Sequence, residues 1–423
     1  MEHYKIKRDI LCIDLKSFFA SVECALRGLD PFKTPLIVAD KSRGNGSIVL
    51  AITPFLKAKG LKSRFRLHEL PEDIKGLIVA KPRMQAYLAY SKKIIEIYLS
   101  FVAMEDIHIY SIDEAFLDVT SYLSYYKMNR EQLAQKILKK IFKETKIPAT
   151  CGIGDNLLLS KLALDLYSKK ALDGIAVMRY QDVESMLWPI KPLSKMWGIG
   201  ERMEIRLNHL NIYSVYDLAH ASRNMLKKRF GVIGEELYFH AHGIDQSIIK
   251  EKNYYHTPMK SVGLGQTLFK DYTEEMIFTV LLEMTDEVAE RLRFGQKEAR
   301  TLHLGIRYSK AYRGGFSRQM TFDVPTCDPD DLLEAVLHLF MRFYEGVPIR
   351  QVFIRATSLT PYEARWQSSF FSDVIRKEKR QKLWESIDSV RKRYGKKSVT
   401  RLISYLESGT AIARADLIGG HHG

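Results

Sequence analysis

The chain has little cysteine: Cys12, Cys24, Cys151 and Cys327 are the only four in 423 residues, and they lack the paired spacing of a zinc site or a disulfide framework. Three of them lie inside apolar or helical runs, so they read as reduced core thiols of a cytoplasmic protein. Long hydrophobic runs are also missing. The longest, Ile94 to Met104, contains Glu96 and is about half the length that crosses a bilayer, which argues against a transmembrane helix. No secretory leader is expected, because Met1 to Arg8 is charged and runs directly into a strand. Acidic residues are scarce relative to basic ones, 50 against 65, and the formal charge of +15 is large for an enzyme of small metabolites. It points to a polyanionic partner, nucleic acid first. With 46% hydrophobic and 27% charged residues the chain is globular, and its length calls for about three or four domains.

What is present centres on Ile109-Tyr110-Ser111-Ile112-Asp113-Glu114-Ala115-Phe116-Leu117-Asp118, where two adjacent carboxylates sit between two strand-like runs. Like charges side by side in an apolar hairpin are costly unless a cation lies between them. Neighbouring side chains of an extended strand point to opposite faces, so both acids serve one ion only if the strand turns or ends there. Upstream, Asp9 to Asp14 reads as a buried strand ending on an acid, followed by a helix from about Ser17 to Leu26. A helix is predicted over 84–104, hairpin strands over 107–110 and 115–119, a helix over 131–144 and a strand over 149–153. Leaving aside an insert over 33–82 with short strands of its own, the order is strand, helix, hairpin, helix, strand. This split βαβ, ferredoxin-like order brings Asp14 to the hairpin tip beside Asp113 and Glu114.

Beyond residue 160 the pattern turns helical. Leu193-Ser194-Lys195-Met196-Trp197-Gly198-Ile199-Gly200 joins two short helices through a Gly-x-Gly turn. Such a helix-hairpin-helix lets backbone N–H groups approach phosphates without reading bases, with Lys195, Gly198 and Gly200 as the contact points. After a polar linker over 245–261, strand, helix, strand, strand, helix, strand recurs without an acid triad. His303 and Arg307 lie on the polar face of one strand, with Arg300, Arg313 and Arg318 near its ends, a surface suited to a phosphate backbone. From Asp373 to Arg401 there are eleven Lys/Arg against four Asp/Glu, and Leu383, Ile387, Val390 and Tyr394 form a stripe at helical spacing that reads as a packing face.

Three converging carboxylates suit Mg²⁺, which prefers oxygen ligands and is shared with substrate phosphates. Two such ions about 4 Å apart support nucleotidyl transfer or phosphodiester hydrolysis, and with basic surface elsewhere a nucleic-acid polymerase fits better than a cyclase. Here the sequence closely resembles the Y-family translesion DNA polymerases, within them the UmuC-like branch of Gram-positive bacteria. The resemblance rests on Ile13-Asp14-Leu15-Lys16-Ser17-Phe18-Phe19-Ala20-Ser21-Val22-Glu23, on the Asp113-Glu114 motif and on Gly198-Ile199-Gly200, in that order. It implies an α+β multidomain right hand: a ferredoxin-like palm over 1–32 and 83–175, small fingers over 33–82, a helical thumb with the helix-hairpin-helix over 176–244, and a little finger over 262–361. A basic tail over 362–423 follows. It implies Asp14, Asp113 and Glu114 as ligands of two Mg²⁺, replaceable by Mn²⁺, with the Leu15 carbonyl as a further ligand. Phe19 falls at the steric-gate position that rejects a 2′-hydroxyl, with Phe18 beside it. The implied partners are primer-template DNA and a deoxynucleoside triphosphate, the implied setting the bacterial nucleoid, and the catalytic subunit is expected to be monomeric.

Three positions depart from the family pattern. Pro54 and Lys57 stand where a fingers Tyr and Arg contact the triphosphate, and Lys57 lacks the fork of Arg. Ser168 stands where a palm lysine is usual, with Lys169 or Lys170 as its substitute, and Ile48 and Leu50 are bulky for residues over the templating base. Gln367-Ser368-Ser369-Phe370-Phe371 resembles the bacterial sliding-clamp peptide, with Gln367, Phe370 and Phe371 as its anchors in an accessible tail. The rival readings are a non-catalytic scaffold for primer-template and clamp, and a helix-hairpin-helix repair factor that leaves the acids idle. No second acidic cluster of the kind a proofreading nuclease needs is evident.

Overall fold

The computed structural model describes residues 1–71, 73–254, 259–362 and 374–422. The chain forms two compact units, Met1–His256 with the last three residues, and Thr257–Gly420.

In the first unit, β1 (Ile10–Leu15) and α1 (Phe18–Ala25) are followed by the insert, which holds β2 (Leu36–Val38), β3 (Ala51–Ile52), α2 (Pro54–Ala58) and β4 (Ile78–Ala80) in a three-stranded sheet. The chain returns through α3 (Met84–Leu99) to the hairpin β5 (Ile107–Ile109) and β6 (Glu114–Asp118), then α4 (Leu123–Tyr126), α5 (Arg130–Thr145) and β7 (Ala149–Gly154). Helix α3 stops at Leu99, five residues before the predicted end. After α6 (Leu157–Leu162), a wide turn over Ala163–Tyr167 leads to β8 (Ile175–Met178).

The sheet order is β5-β6-β1-β7-β8, and β1 is antiparallel to both neighbours, as the ferredoxin-like reading requires. Alternation along β1 separates its side chains: Leu11, Ile13 and Leu15 join the core under α1, α3 and α5, while Ile10 and Cys12 pack with Phe116, Leu157 and Leu164 on the α6 side. Helix α6 lies unusually close to the sheet, because β7 offers glycine where it passes. A Cβ on Gly152 would meet the Ser160 carbonyl oxygen at 2.1 Å, and one on Gly154 would meet the Ser160 nitrogen at 2.2 Å.

The helical remainder comprises α7 (Glu201–Asn208), α8 (Val215–Ala219), α9 (Arg223–Phe230), α10 (Val232–Ala241) and α11 (Ile249–Tyr254). Gly198, at φ 91°, makes the turn that leads into α7, and Gly200 is the residue before its first turn. Trp197 ties this turn to the hairpin: its Nε1 donates to Tyr110 Oη at 3.3 Å and its ring lies 6.1 Å from that of Phe116.

The second unit runs β9 (Ser261–Tyr272), α12 (Glu274–Phe294), β10 (Lys297–Tyr308), β11 (Gly315–Thr326), α13 (Pro329–Phe343), β12 (Ile349–Pro361). The β-α-β-β-α-β sequence is as expected, and β12 splits the β9–β10 crossover. The sheet order β11-β10-β12-β9 nevertheless differs from that of the first unit, since the opening strand lies at an edge. The stretch that follows, expected as an accessible tail, is in its described part tied to α12. Within α14 (Val374–Tyr394), Asp388 accepts a fork from Arg293 of α12, and beyond it Arg401 forks onto Asp286 at 2.6 and 2.9 Å and Thr410 Oγ1 donates to buried Glu283 at 2.8 Å. The α14 stripe is not the packing face it reads as: Leu383, Val390 and Tyr394 are exposed and Ile387 alone of the four is half-buried. The clamp-like residues Gln367, Phe370 and Phe371 lie outside the described residues.

Candidate active site

The two acid-bearing segments meet in register. Asp14, the penultimate residue of β1, stands directly opposite Glu114, the first residue of β6, so their side chains share the α6 face of the sheet. Asp113 lies in the turn before β6, where Tyr110 N and Ser111 N both donate to the Glu114 carbonyl at 3.0 Å. The bend thus relieves the strict alternation that would have sent Asp113 to the opposite face. Its carbonyl accepts Leu15 N at 3.0 Å, and its Oδ1 accepts Ser111 Oγ at 2.7 Å.

The electrostatics show that the acids feel one another. Burial, reinforced by Asp113 and Glu114, lifts the Asp14 carboxyl to about 6, against the opposing pull of Lys169. Two lysines offset the cluster. Lys161 Nζ lies 2.8 Å from Glu114 Oε1 and 3.0 Å from Asp165 Oδ2, and Lys169 Nζ lies 3.8 Å from Asp14 Oδ2. Burial alone would lower the Lys161 ammonium, but Glu114 and Asp165 outweigh it and hold the group above its usual range. Cys12 donates to Glu114 Oε1 at 3.2 Å from one strand repeat below Asp14.

Among the described residues no three acids, histidines or cysteines stand at the spacing of a formed metal cage. The donor set nonetheless fits a hard divalent cation: oxygen donors only, with one carboxyl made reluctant to ionise by burial and by its acidic neighbours. Lys161 and Lys169 pair with carboxylate oxygens of Glu114 and Asp14 that belong to this donor set.

A stability test follows from the sign of the Asp14 shift. In chelator, a raised carboxyl pKa favours the folded state below the ordinary value of 3.8, and this contribution disappears as pH rises through about 6. Asp14→Asn is therefore expected to stabilise metal-free protein at pH 7.5 by ~1–3 kcal/mol and to lose that advantage near pH 4. Paired thermal melts in EDTA check it; a less stable variant at pH 7.5 would show that the charge is not strained.

The remaining sequence-derived residues separate into groups. Phe18 is buried, and Phe19 is half-buried with its ring stacked on Tyr87, centroids 4.5 Å apart and planes 16° apart. Lys57 comes within the electrostatic reach of Asp14 and Asp113, which oppose the lowering that burial imposes on its ammonium. Ser168 is buried with Oγ on the Leu164 carbonyl, so Lys169 is the residue that faces the acids. Ile48 is half exposed, and Leu50 packs against the core beneath the five-stranded sheet. Lys195, Gly198 and Gly200 are exposed together, and open space surrounds both glycines.

In the second unit, His303 and Arg307 share the open face of the sheet with Arg355, which stands opposite His303. Arg300 sits at the bulge between Ala299 and Thr301 and donates to the Asp323 carbonyl at 3.3 Å. Arg318 does not join the open-face group. It stands opposite Leu304, on the helix-covered face, with its guanidinium 4.9 Å from the Phe343 ring. Sequence reasoning overlooked Lys161, Glu23 and Tyr87. The signal for the first was a lone lysine in the apolar run Leu157–Leu162, four residues before Asp165.

Comparison with known proteins settles the family. Residues 13–165 match the impB/mucB/samB family, residues 259–370 its C-terminal domain, and residues 194–245 the thumb domain described for DNA polymerase-iota. A Bacillus subtilis protein described as "Putative UV-damage repair protein UvrX" is 43% identical over 98% of both chains. The chain belongs to the impB/mucB/samB family of Y-family DNA polymerases. A second relative of this Y-family member, "DNA polymerase IV 2" of Halalkalibacterium halodurans, is 34% identical over 98% of this chain and 99% of its own length. A solved Y-family DNA polymerase chimera, Dbh-Dpo4(243-245)-Dbh, matches with a TM-score of 0.65 at 22% identity, covering 84% of this chain and 99% of its own, which shows the shared fold. No described helix is long and apolar enough to cross a membrane.

Proposed function

We propose that this Y-family member extends primers by DNA-templated nucleotidyl transfer with two Mg²⁺ or Mn²⁺ ions, and that it acts in translesion synthesis with low processivity and without proofreading. The observation that carries the reading is the Asp14–Glu114 register at the open end of a ferredoxin-like sheet, with Asp113 in the adjoining bend. Asp14, Asp113, Glu114 and the Leu15 carbonyl would hold the ions. When bound, the ions would lower the barrier for the attacking 3′-hydroxyl and offset charge on the departing pyrophosphate. Lys57 and Lys169 face the same acids and are placed to neutralise the triphosphate, and Phe19 flanks the sugar as the gate against a 2′-hydroxyl. Lys195, Gly198 and Gly200 in the first unit, and His303, Arg307 and Arg355 in the second, offer donors to the phosphate backbone. Gln367, Phe370 and Phe371 would engage a sliding clamp, the protein would act in the bacterial cytoplasm, and the relatives described as a UV-damage repair protein and a DNA polymerase IV support a role at damaged template.

Purified protein is expected to extend a primer on a DNA template with Mg²⁺ and deoxynucleotides, and to insert opposite at least some damaged bases. Failure to extend undamaged DNA with either Mg²⁺ or Mn²⁺ would leave the scaffold reading in its place.

A further inference from the structure

The side chain behind Phe19 is held far more firmly than ordinary core packing requires. Phe19 and Glu23 are one turn apart on α1, and Tyr87 lies one turn beyond Arg83, the residue that opens α3, so two i,i+4 pairs face each other across the helix contact. The Phe19 ring stacks on Tyr87, which is fully buried. Tyr87 Oη donates to Glu23 Oε1 at 2.9 Å. Arg83 forks onto the same carboxylate, Nε to Oε1 at 3.1 Å and Nη2 to Oε2 at 2.6 Å, and Arg27 bonds it from the next turn of α1. Glu23 has no exposed surface, yet it stays ionised: its burial is outweighed by Arg83, Arg27 and Tyr87, and its pKa lies below the usual carboxylate value. A buried carboxylate with three donors is a rigid joint, because moving any member strands a charge.

We propose that Glu23, Arg83 and Tyr87 are positioning residues that hold the Phe19 ring in place and thereby set how strictly the site excludes ribonucleotides. The proposal rests on reading Phe19 as the steric gate. A gate discriminates through a clash of less than a bond length, so a ring free to retreat admits the 2′-hydroxyl. A stacked partner fixed at its far end by a buried ion pair removes that freedom. Arg83, 46% exposed, joins this buried joint to the surface.

The test is single-nucleotide insertion by the full chain, with kcat/KM measured for a deoxynucleotide and its ribonucleotide counterpart. Tyr87→Leu is expected to raise the ribo-to-deoxy ratio ~10-fold, and Tyr87→Phe and the surface-accessible Arg83→Met ~3-fold, with deoxynucleotide insertion changed far less. Adding Tyr87→Leu to Phe19→Ala should raise the ratio no further than Phe19→Ala alone. If folded Tyr87→Phe and Arg83→Met lose thermal stability but keep the parental ratio, the cluster merely joins two helices and the proposal is overturned. Those two variants decide the matter even if Tyr87→Leu does not fold. The Phe19→Ala arm separates the two readings: no change there removes the gate itself, whereas a change there alone removes only the backstop.

Discussion

Asp113→Asn is expected to lower primer extension by ~10³-fold or more while leaving affinity for primer-template DNA unchanged or slightly higher. The substitution keeps the side-chain volume and removes one negative charge. The backbone role of Asp113, accepting Leu15 N at 3.0 Å, does not depend on the side chain, so β1 and the hairpin stay paired. Its Oδ1 still accepts the Ser111 hydroxyl. What disappears is a hard anionic donor beside Asp14, together with part of the repulsion that adds to burial in raising the Asp14 carboxyl. A phosphate backbone entering the cleft meets one charge fewer, which is why binding does not weaken. Extension under single-turnover conditions, paired with fluorescence anisotropy on labelled primer-template, measures both halves. A variant that extends at the parental rate would remove Asp113 from the chemistry.

Phe19→Ala is expected to raise the ratio of ribonucleotide to deoxynucleotide kcat/KM by ~10²-fold, with a smaller loss in deoxynucleotide insertion. The ring is half-buried and stacked on Tyr87, while Phe18 beside it is packed in the core. Truncating Phe18 therefore costs stability, whereas truncating Phe19 mainly empties the space a 2′-hydroxyl would occupy. An unchanged ratio would refute the gate.

Much of the palm is legible from sequence because its information is local: alternation along β1, a run ending on an acid, and a doubled acid at a bend. The convergence of Asp14 on the Asp113-Glu114 hairpin follows from the order of elements, whereas the register that sets it opposite Glu114, inside β6 rather than in the turn, does not. What the sequence does not carry is contact across layers. Lys161 reads as one charge in an apolar helix, and its bond to Glu114 depends on how closely α6 approaches the sheet. Arg318 illustrates a second limit. Its face is set by the register that runs back from the hairpin turn, with Arg307 opposite Gly315 and Leu304 opposite Arg318, and the distance of a residue from a strand end does not give that register. The residues after β12 show a third. Their basic excess reads as a free tail, but Arg401 and Arg293 find acids on α12 and α14 that only the folded chain brings within reach.

The glycines of β7 have a consequence for how this palm can diverge. Backbone of Ser160, Leu159 and Leu164, with the Leu159 Cβ beside Gly154, fills the gap in front of Gly152 and Gly154, so trimming a neighbouring side chain makes no room for even a methyl group. Substitution there lifts the helix as a rigid body, and Lys161 leaves Glu114 with it. Two positions without any functional group thus bear on the charge balance of the acid cluster.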